Sequence, residues 1–298
     1  MCYPGQMSLT HNFASVNGVR LHYVSAGERG RPLIVFLHGF PEFWYAWRKL
    51  LPDFGSDYFA VAPDMRGYNL SDKPEGVAAY AVSELCADVF ALADSLGYSV
   101  FHLVGHDWGG VVAWACAIKR PERIERLAIL NAPHPGIFAR ELASNPRQIE
   151  ASQYIALFRR PGSEAEVLRL GFIERALLRP CLASGAMTAA EADEYRKAWA
   201  IEGALTAALN YYRSSRFAPA TEVRPAEPID REKWRVRVPA VVIWGMNDRA
   251  LMSSNLDGLS EVVDRLTVHR LEGASHWLVH EHPAKVAALL RDFLQTPL

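Results

Sequence analysis

S-V-F-H-L-V-G-H-D-W-G-G, residues 99–110, is the stretch from which the rest of the chain is read. An apolar run ends at Asp107, and a helical pattern begins at once over 108–119. Gly105 stands two residues before Asp107, and Gly109 and Gly110 two and three after it. That is the pattern of a sharp strand-to-helix turn, a nucleophile elbow. Its central residue is held in a strained conformation, and a side chain at the flanking glycines would clash with the neighbouring strand and helix. Serine usually occupies the centre; here it is Asp107. A G-x-D-x-G alone is also ordinary turn chemistry. Its place directly after a buried strand favours the elbow.

Outward from this turn, strand and helix alternate. P-L-I-V-F-L-H-G at 32–39 is too short and too branched for a helix and reads as a buried parallel strand. Y-F-A-V-A-P-D at 58–64 and R-L-A-I-L-N at 126–131 read the same way, with helical spacing at 80–97. The alternation resumes at 238–245, 267–272 and the helix 283–294. It predicts an α/β fold, a mostly parallel sheet flanked by helices. Between the two blocks, 132–233 lacks a strong strand signal and carries helical stretches, including the capping-box spacing T-A-A-E at 188–191. We read 1–131 and 234–298 as the core and 132–233 as an inserted helical cap. The cap closes with A-P-A-T-E-V-R-P-A-E-P-I-D (218–230), whose three prolines suit an irregular connection. V-N-G-V-R-L-H-Y (16–23) predicts a turn at Asn17-Gly18 between two antiparallel strands at a sheet edge.

Composition bounds the function classes. Half of the 298 residues are hydrophobic and 22% are charged, which fits a globular chain with one sizeable core. A net charge of −1, with both signs spread along the chain, gives no basis for a nucleic-acid surface or a polybasic membrane patch. The four cysteines, Cys2, Cys86, Cys116 and Cys181, form no C-x-x-C pair and suggest neither a disulfide framework nor a thiolate metal site. The first ten residues lack the basic start and apolar core of a signal peptide, and no apolar run reaches about 18 residues. A cytoplasmic location is the expectation. No glycine-rich phosphate loop or metal-ligand cluster appears, so no cofactor and no metal are expected. A monomer and a homodimer are equally compatible with the sequence.

Aspartate in place of serine changes the reaction class. A carboxylate attacking an acyl carbon would give a reactive anhydride, whereas attack on a saturated carbon gives an ordinary ester. The expected substrate is therefore an alkylating electrophile, an epoxide or an alkyl halide. Hydrolysis of that ester needs a histidine base with an acid behind it. His276 in L-E-G-A-S-H-W follows the last predicted strand and is the base. His280 and His282, nearer the final helix, read as structural or solvated, and their spacing with His276 lacks the acid-rich helix of a metal site. His106 reads as support for the elbow. Asp248 in W-G-M-N-D-R-A-L is the acid; Asn131 ends the preceding strand, but an amide cannot balance an imidazolium. The tetrahedral oxyanion of ester hydrolysis calls for two backbone N–H donors, expected from Trp108 and from Phe40 in H-G-F-P. Trp44, Trp47, Trp114 and Trp244 read as packing.

H-G-F-P-E-F-W-Y-A-W-R, P-D-M-R-G-Y-N-L-S-D-K-P, G-H-D-W-G-G and L-N-A-P-H-P, in this order, closely resemble the soluble epoxide hydrolases of the α/β-hydrolase superfamily, over nearly the whole chain. The resemblance implies conversion of a small hydrophobic epoxide and water to a vicinal diol through an ester on Asp107. It also implies two cap tyrosines holding the oxirane oxygen. Tyr154, eight residues before Gly162, and Tyr212 in L-N-Y-Y-R match them; Tyr211 reads as packing. Two alternatives stay open. Haloalkane dehalogenases resemble the chain around Asp107 and Trp108 but typically carry a tryptophan or asparagine halide donor where Phe40 stands. A noncatalytic ligand-binding member of the fold is the other. Fluoroacetate dehalogenases usually have arginines at the positions of Trp108 and Val111, which argues against an anionic substrate.

Overall fold

A computed structural model describes residues 8–296. Cys2 and most of the stretch read for a signal peptide lie outside them. The core is one eight-stranded sheet in the order β1-β2-β4-β3-β5-β6-β7-β8. β1 (Thr10–Val16) and β2 (Val19–Ala26) form an antiparallel hairpin at one edge, turning at Asn17 and Gly18, both at positive φ. β2 also runs antiparallel to β4 (Phe59–Pro63). From β4 onward the sheet is parallel through β3 (Leu33–Leu37), β5 (Phe101–His106), β6 (Ile124–Leu130), β7 (Val236–Gly245) and β8 (Val263–Leu271).

Alternation along the central strands builds two apolar layers. Leu33, Val35 and Leu37 of β3 join one core with the helices Val82–Leu96 and Trp108–Lys119. Ile34 and Phe36 join the other, which includes Leu290 of the helix Pro283–Gln295. All five side chains are at most 1% exposed. Each is worth about 1.5–3 kcal/mol of burial, and this fixes the register that sets the strand ends side by side.

Among the described residues no strand lies between Leu130 and Val236; the segment is helical. Its helices include Pro135–Ser144, Gln153–Arg159, Ala189–Trp199 and Ala204–Ser214. The helix Ala189–Trp199 opens with the predicted capping box, Thr188 and Glu191 each bonding the other's backbone N–H. Residues 216–230 have no regular structure.

The chain turns outward from β3 to β4 and then returns to place β5 on the other side of β3. The crevice at such a reversal, beyond the carboxyl ends of the strands, is where an open α/β sheet binds ligands. Phe40 follows β3 and Asp107 follows β5, so the two flank it.

Candidate active site

Asp107 has φ +50° and ψ −120° and precedes the helix Trp108–Lys119. The turn closes because its glycines touch backbone. A Cβ on Gly109 would lie 2.2 Å from the Leu37 carbonyl oxygen, and one on Gly105 2.4 Å from the Gly109 carbonyl oxygen. The carboxylate is thereby lifted to the ends of β3 and β5. Its Oδ1 accepts the Phe40 N–H at 2.8 Å, and its Oδ2 faces His276 Nε2 at 3.5 Å.

Trp108 was expected to supply the second backbone donor. Its backbone N–H makes no hydrogen bond to the Asp107 carboxylate, which caps no N–H of the following helix. A side-chain cap takes β-region dihedrals that fold its oxygen over the helix end. Asp107 departs from these and swings its carboxylate toward Phe40.

His276, in the loop after β8, puts Nδ1 2.6 Å from Asp248 Oδ2. Asp248 is 7% exposed and fully satisfied: Oδ1 accepts the N–H groups of Ala250 and Leu251, and Oδ2 also accepts Asn131 Nδ2 at 2.6 Å. Burial alone would raise its pKa, but the His276 charge and these donors hold it below the ordinary carboxylate value. His276 shows the converse. Burial opposes its charge, yet Asp248 and Asp107 together raise its pKa well above that of free histidine. Both partners thus favour the protonated form of the His276 ring.

Tyr154 and Tyr212 reach Asp107 from the helices Gln153–Arg159 and Ala204–Ser214. With Asp107, Trp108, Phe138 and Leu251 they line a cavity of about 30 Å³. Their ring centroids are 6.1 Å apart, nearly perpendicular. Burial, then nearby negative charge, pushes both phenols above their ordinary pKa. They remain protonated donors. Tyr211, as read, points elsewhere, donating to the Arg66 carbonyl.

Three supporting groups had no local sequence signal. Asn131, at positive φ after β6, bonds both Asp248 and the Gly245 N–H. Glu42, fully buried, gathers His280 Nε2 at 2.6 Å, the Tyr195 hydroxyl at 2.9 Å and His106 Nδ1 at 3.2 Å. His106 Nε2 in turn bonds the His276 carbonyl at 2.9 Å. Glu281 clamps the backbone N–H and hydroxyl of Ser275, beside His276. His280 is therefore structural and His282 exposed. Among the described residues no group of three or more His, Cys, Asp or Glu side chains could hold a metal ion.

Residues 32–283 match the alpha/beta hydrolase fold family. The chain is 35% identical to human Epoxide hydrolase 4 over 96% of its own length and 79% of that protein's. This chain belongs to the α/β-hydrolase fold family, among the epoxide hydrolases. It is also 38% identical to the AB hydrolase superfamily protein YfhM of Bacillus subtilis, over 95% of this chain and 97% of that one. A solved structure of a mutant epoxide hydrolase from Bacillus megaterium, complexed with its product (R)-3-[1]naphthyloxy-propane-1,2-diol, superposes with a TM-score of 0.88 at 37% identity. The match covers 96% of this chain and 100% of that one. Among the described residues no helix of this α/β hydrolase is long and apolar enough to cross a membrane.

Proposed function

We propose that this chain hydrolyses small hydrophobic epoxides to vicinal diols through a covalent ester on Asp107. The observation that carries the reading is the cavity that Asp107 shares with two protonated phenols, Tyr154 and Tyr212, with His276 within reach of the same carboxylate. The relative from Bacillus megaterium, whose product is a vicinal diol, supports it.

Oδ1 is engaged by the Phe40 N–H, so Oδ2 is the attacking oxygen. It displaces the oxirane oxygen from carbon, and the negative charge moves from Asp107 to that oxygen. Tyr154 and Tyr212 receive it as hydrogen-bond donors, and one supplies a proton. Asp107 is among the charges that raise both phenol pKa values, so esterification makes the phenols stronger acids as the alkoxide forms.

The same neutralisation removes one support of the His276 proton. His276 then gives up that proton, which returns through water to the tyrosinate left behind, and the neutral imidazole deprotonates a water that attacks the ester carbonyl. Phe40 stabilises the resulting oxyanion at Oδ1, and Asp248 balances the imidazolium. Trp108 can contribute its N–H only after the carboxyl group reorients. The helices of 132–233 act as the cap that brings the tyrosines over the elbow. The described cysteines, Cys86, Cys116 and Cys181, are free and buried, which suits a reducing cytoplasm.

The test is parallel hydrolysis of styrene oxide and a 1-haloalkane by wild type, Asp107→Ala and a Tyr154→Phe, Tyr212→Phe double variant. Diol formation in wild type, lost in both variants, is the expected result. In His276→Gln, mass spectrometry should find the protein heavier by one styrene oxide. Halide release that survives loss of both tyrosines, with no diol, would reassign the chain to the dehalogenases. Neither product from wild type would favour a noncatalytic binding protein.

A further inference from the structure

Residues 174–180 read E-R-A-L-L-R-P. Leu177 and Leu178 are fully buried in the apolar cluster that also holds Trp277 and Leu278, so this part of the helical insertion is docked on the core by burial. The chain there is no ordinary helix. Glu174–Leu178 forms a π-helix and runs directly into the α-helix Arg179–Ala183. Pro180 supplies the reason. In an α-helix the N–H of residue 180 would bond the carbonyl four residues back, that of Ala176. Proline has no N–H, and its ring would press on that carbonyl. The wider π turn relieves the contact, and the Ala176 carbonyl is left without its α-helical donor.

A donor comes from the core. Trp277 Nε1 bonds the Ala176 carbonyl at 2.7 Å. Trp277 directly follows His276, and its ring stands at 87° to the imidazole with centroids 4.7 Å apart. It is also 5.9 Å from the His106 ring. The indole is therefore a wall beside the His276 ring, and its bond to Ala176 keeps that wall from swinging away.

The other bonds of this loop stay within the core. Glu281 clamps Ser275, His106 Nε2 bonds the His276 carbonyl, and Asp248 holds His276 Nδ1. Among the hydrogen bonds of Ser275, His276 and Trp277 in the described residues, only that of the indole reaches the segment 132–233. Beside this bond the insertion and the histidine are parted by a cavity of about 580 Å³, whose wall includes Ala176, Pro180, Asp248 and His276. His276 has room to turn on that side, and the tethered indole limits it. Glu174 pairs with Arg196 at 2.8 Å and so joins the π turn to the helix Ala189–Trp199.

Resting on the epoxide reading, we propose that Trp277 is a positioning residue, whose bond to the Ala176 carbonyl fixes the indole so that the indole holds the His276 imidazole on Asp248. The base is then aligned when the segment 174–183 is seated on the core, which makes that part of the insertion a condition of turnover. Trp277 acts through His276. Its effect falls on ester hydrolysis, in which His276 takes a proton from water, and not on attack by Asp107, which needs no base.

The experiment follows styrene oxide on wild type and on Trp277→Phe, which keeps a ring and removes the donor. Quench-flow with mass spectrometry of the protein reads formation and loss of the ester separately. Hydrolysis should slow by about threefold to tenfold, the worth of one hydrogen bond, while alkylation is unchanged, so that the ester accumulates and kcat/KM stays as it was. Both steps slowed alike, or neither slowed, would overturn the proposal. Should Trp277→Phe not fold, Pro180→Ala, at an exposed position, decides by the same readout, because it returns to the helix the N–H that competes for the Ala176 carbonyl. If wild type opened no epoxide, the epoxide reading would fail separately, and an NMR titration of the His276 ring would decide instead. A midpoint lowered in Trp277→Phe supports the positioning, since the imidazole is then less closely held to Asp248, and an equal midpoint overturns it.

Discussion

At the scale of single residues the site is a set of charges that hold one another in place. The His276 proton is retained against burial by Asp248 and Asp107. In Asp107→Asn, a neutral stand-in for the proposed ester, one of those two supports is gone, so the His276 pKa should fall relative to wild type. An NMR titration of the His276 ring reads this directly. An unchanged midpoint would mean that Asp107 does not hold the proton and that alkylation does not release it. Asn131 is the residue a sequence reader sets aside most easily, because an amide cannot replace a carboxylate. It serves the carboxylate instead. In Asn131→Ala the buried Gly245 N–H and Asp248 Oδ2 each lose a partner, which should cost about 1–3 kcal/mol in urea unfolding.

At the scale of elements, legibility follows burial. The strands β3 to β7 are covered on both faces and read as apolar runs, and their positions in the sequence were plain. β8 is an edge strand in which every residue after Val263 is exposed or half-buried, so the run at 267–272 revealed only its second half. The positions of Asp107, Asp248 and His276 were legible because each follows a strand end. The Glu42 network was not, because its members at 42, 106, 195 and 280 come from separate elements, and only the fold brings them together. The contact of Trp108 was not legible for a related reason: spacing gives the residue after Asp107 but not the direction of its carboxylate. The helix Ala189–Trp199 is the element most exposed to test. It reaches the core through Tyr195 on Glu42 and through Trp199 Nε1 on the Pro41 carbonyl at 2.6 Å. Removing its cap in Thr188→Ala should cost about 1 kcal/mol. Tyr195→Phe should cost about 0.5–1.5 kcal/mol, both read as shifts of the urea midpoint.

For the whole molecule, the triad makes stability depend on pH in both directions. The folded pKa of His276 is raised, so its contribution is complete below the unfolded value near 6.5 and is lost as pH rises through the folded value. That of Asp248 is lowered, so its contribution is present above the unfolded value near 3.8 and is lost as pH falls through the folded one. The difference in thermal midpoint between wild type and His276→Gln should therefore shrink as the medium becomes alkaline above pH 6.5. A constant difference would argue that the imidazolium adds nothing to folding. The split of the sheet around the helical insertion bears on how the molecule is born. β6 pairs with β7 across residues 131–235, and Asp248 and His276 come from the far side of that gap. During synthesis the strand before Asp107 can pair with β3 and β6 long before His276 is made. On the proposed mechanism a chain interrupted there would carry Asp107 without the means to release an ester, so the order of translation would make turnover the last property the enzyme acquires.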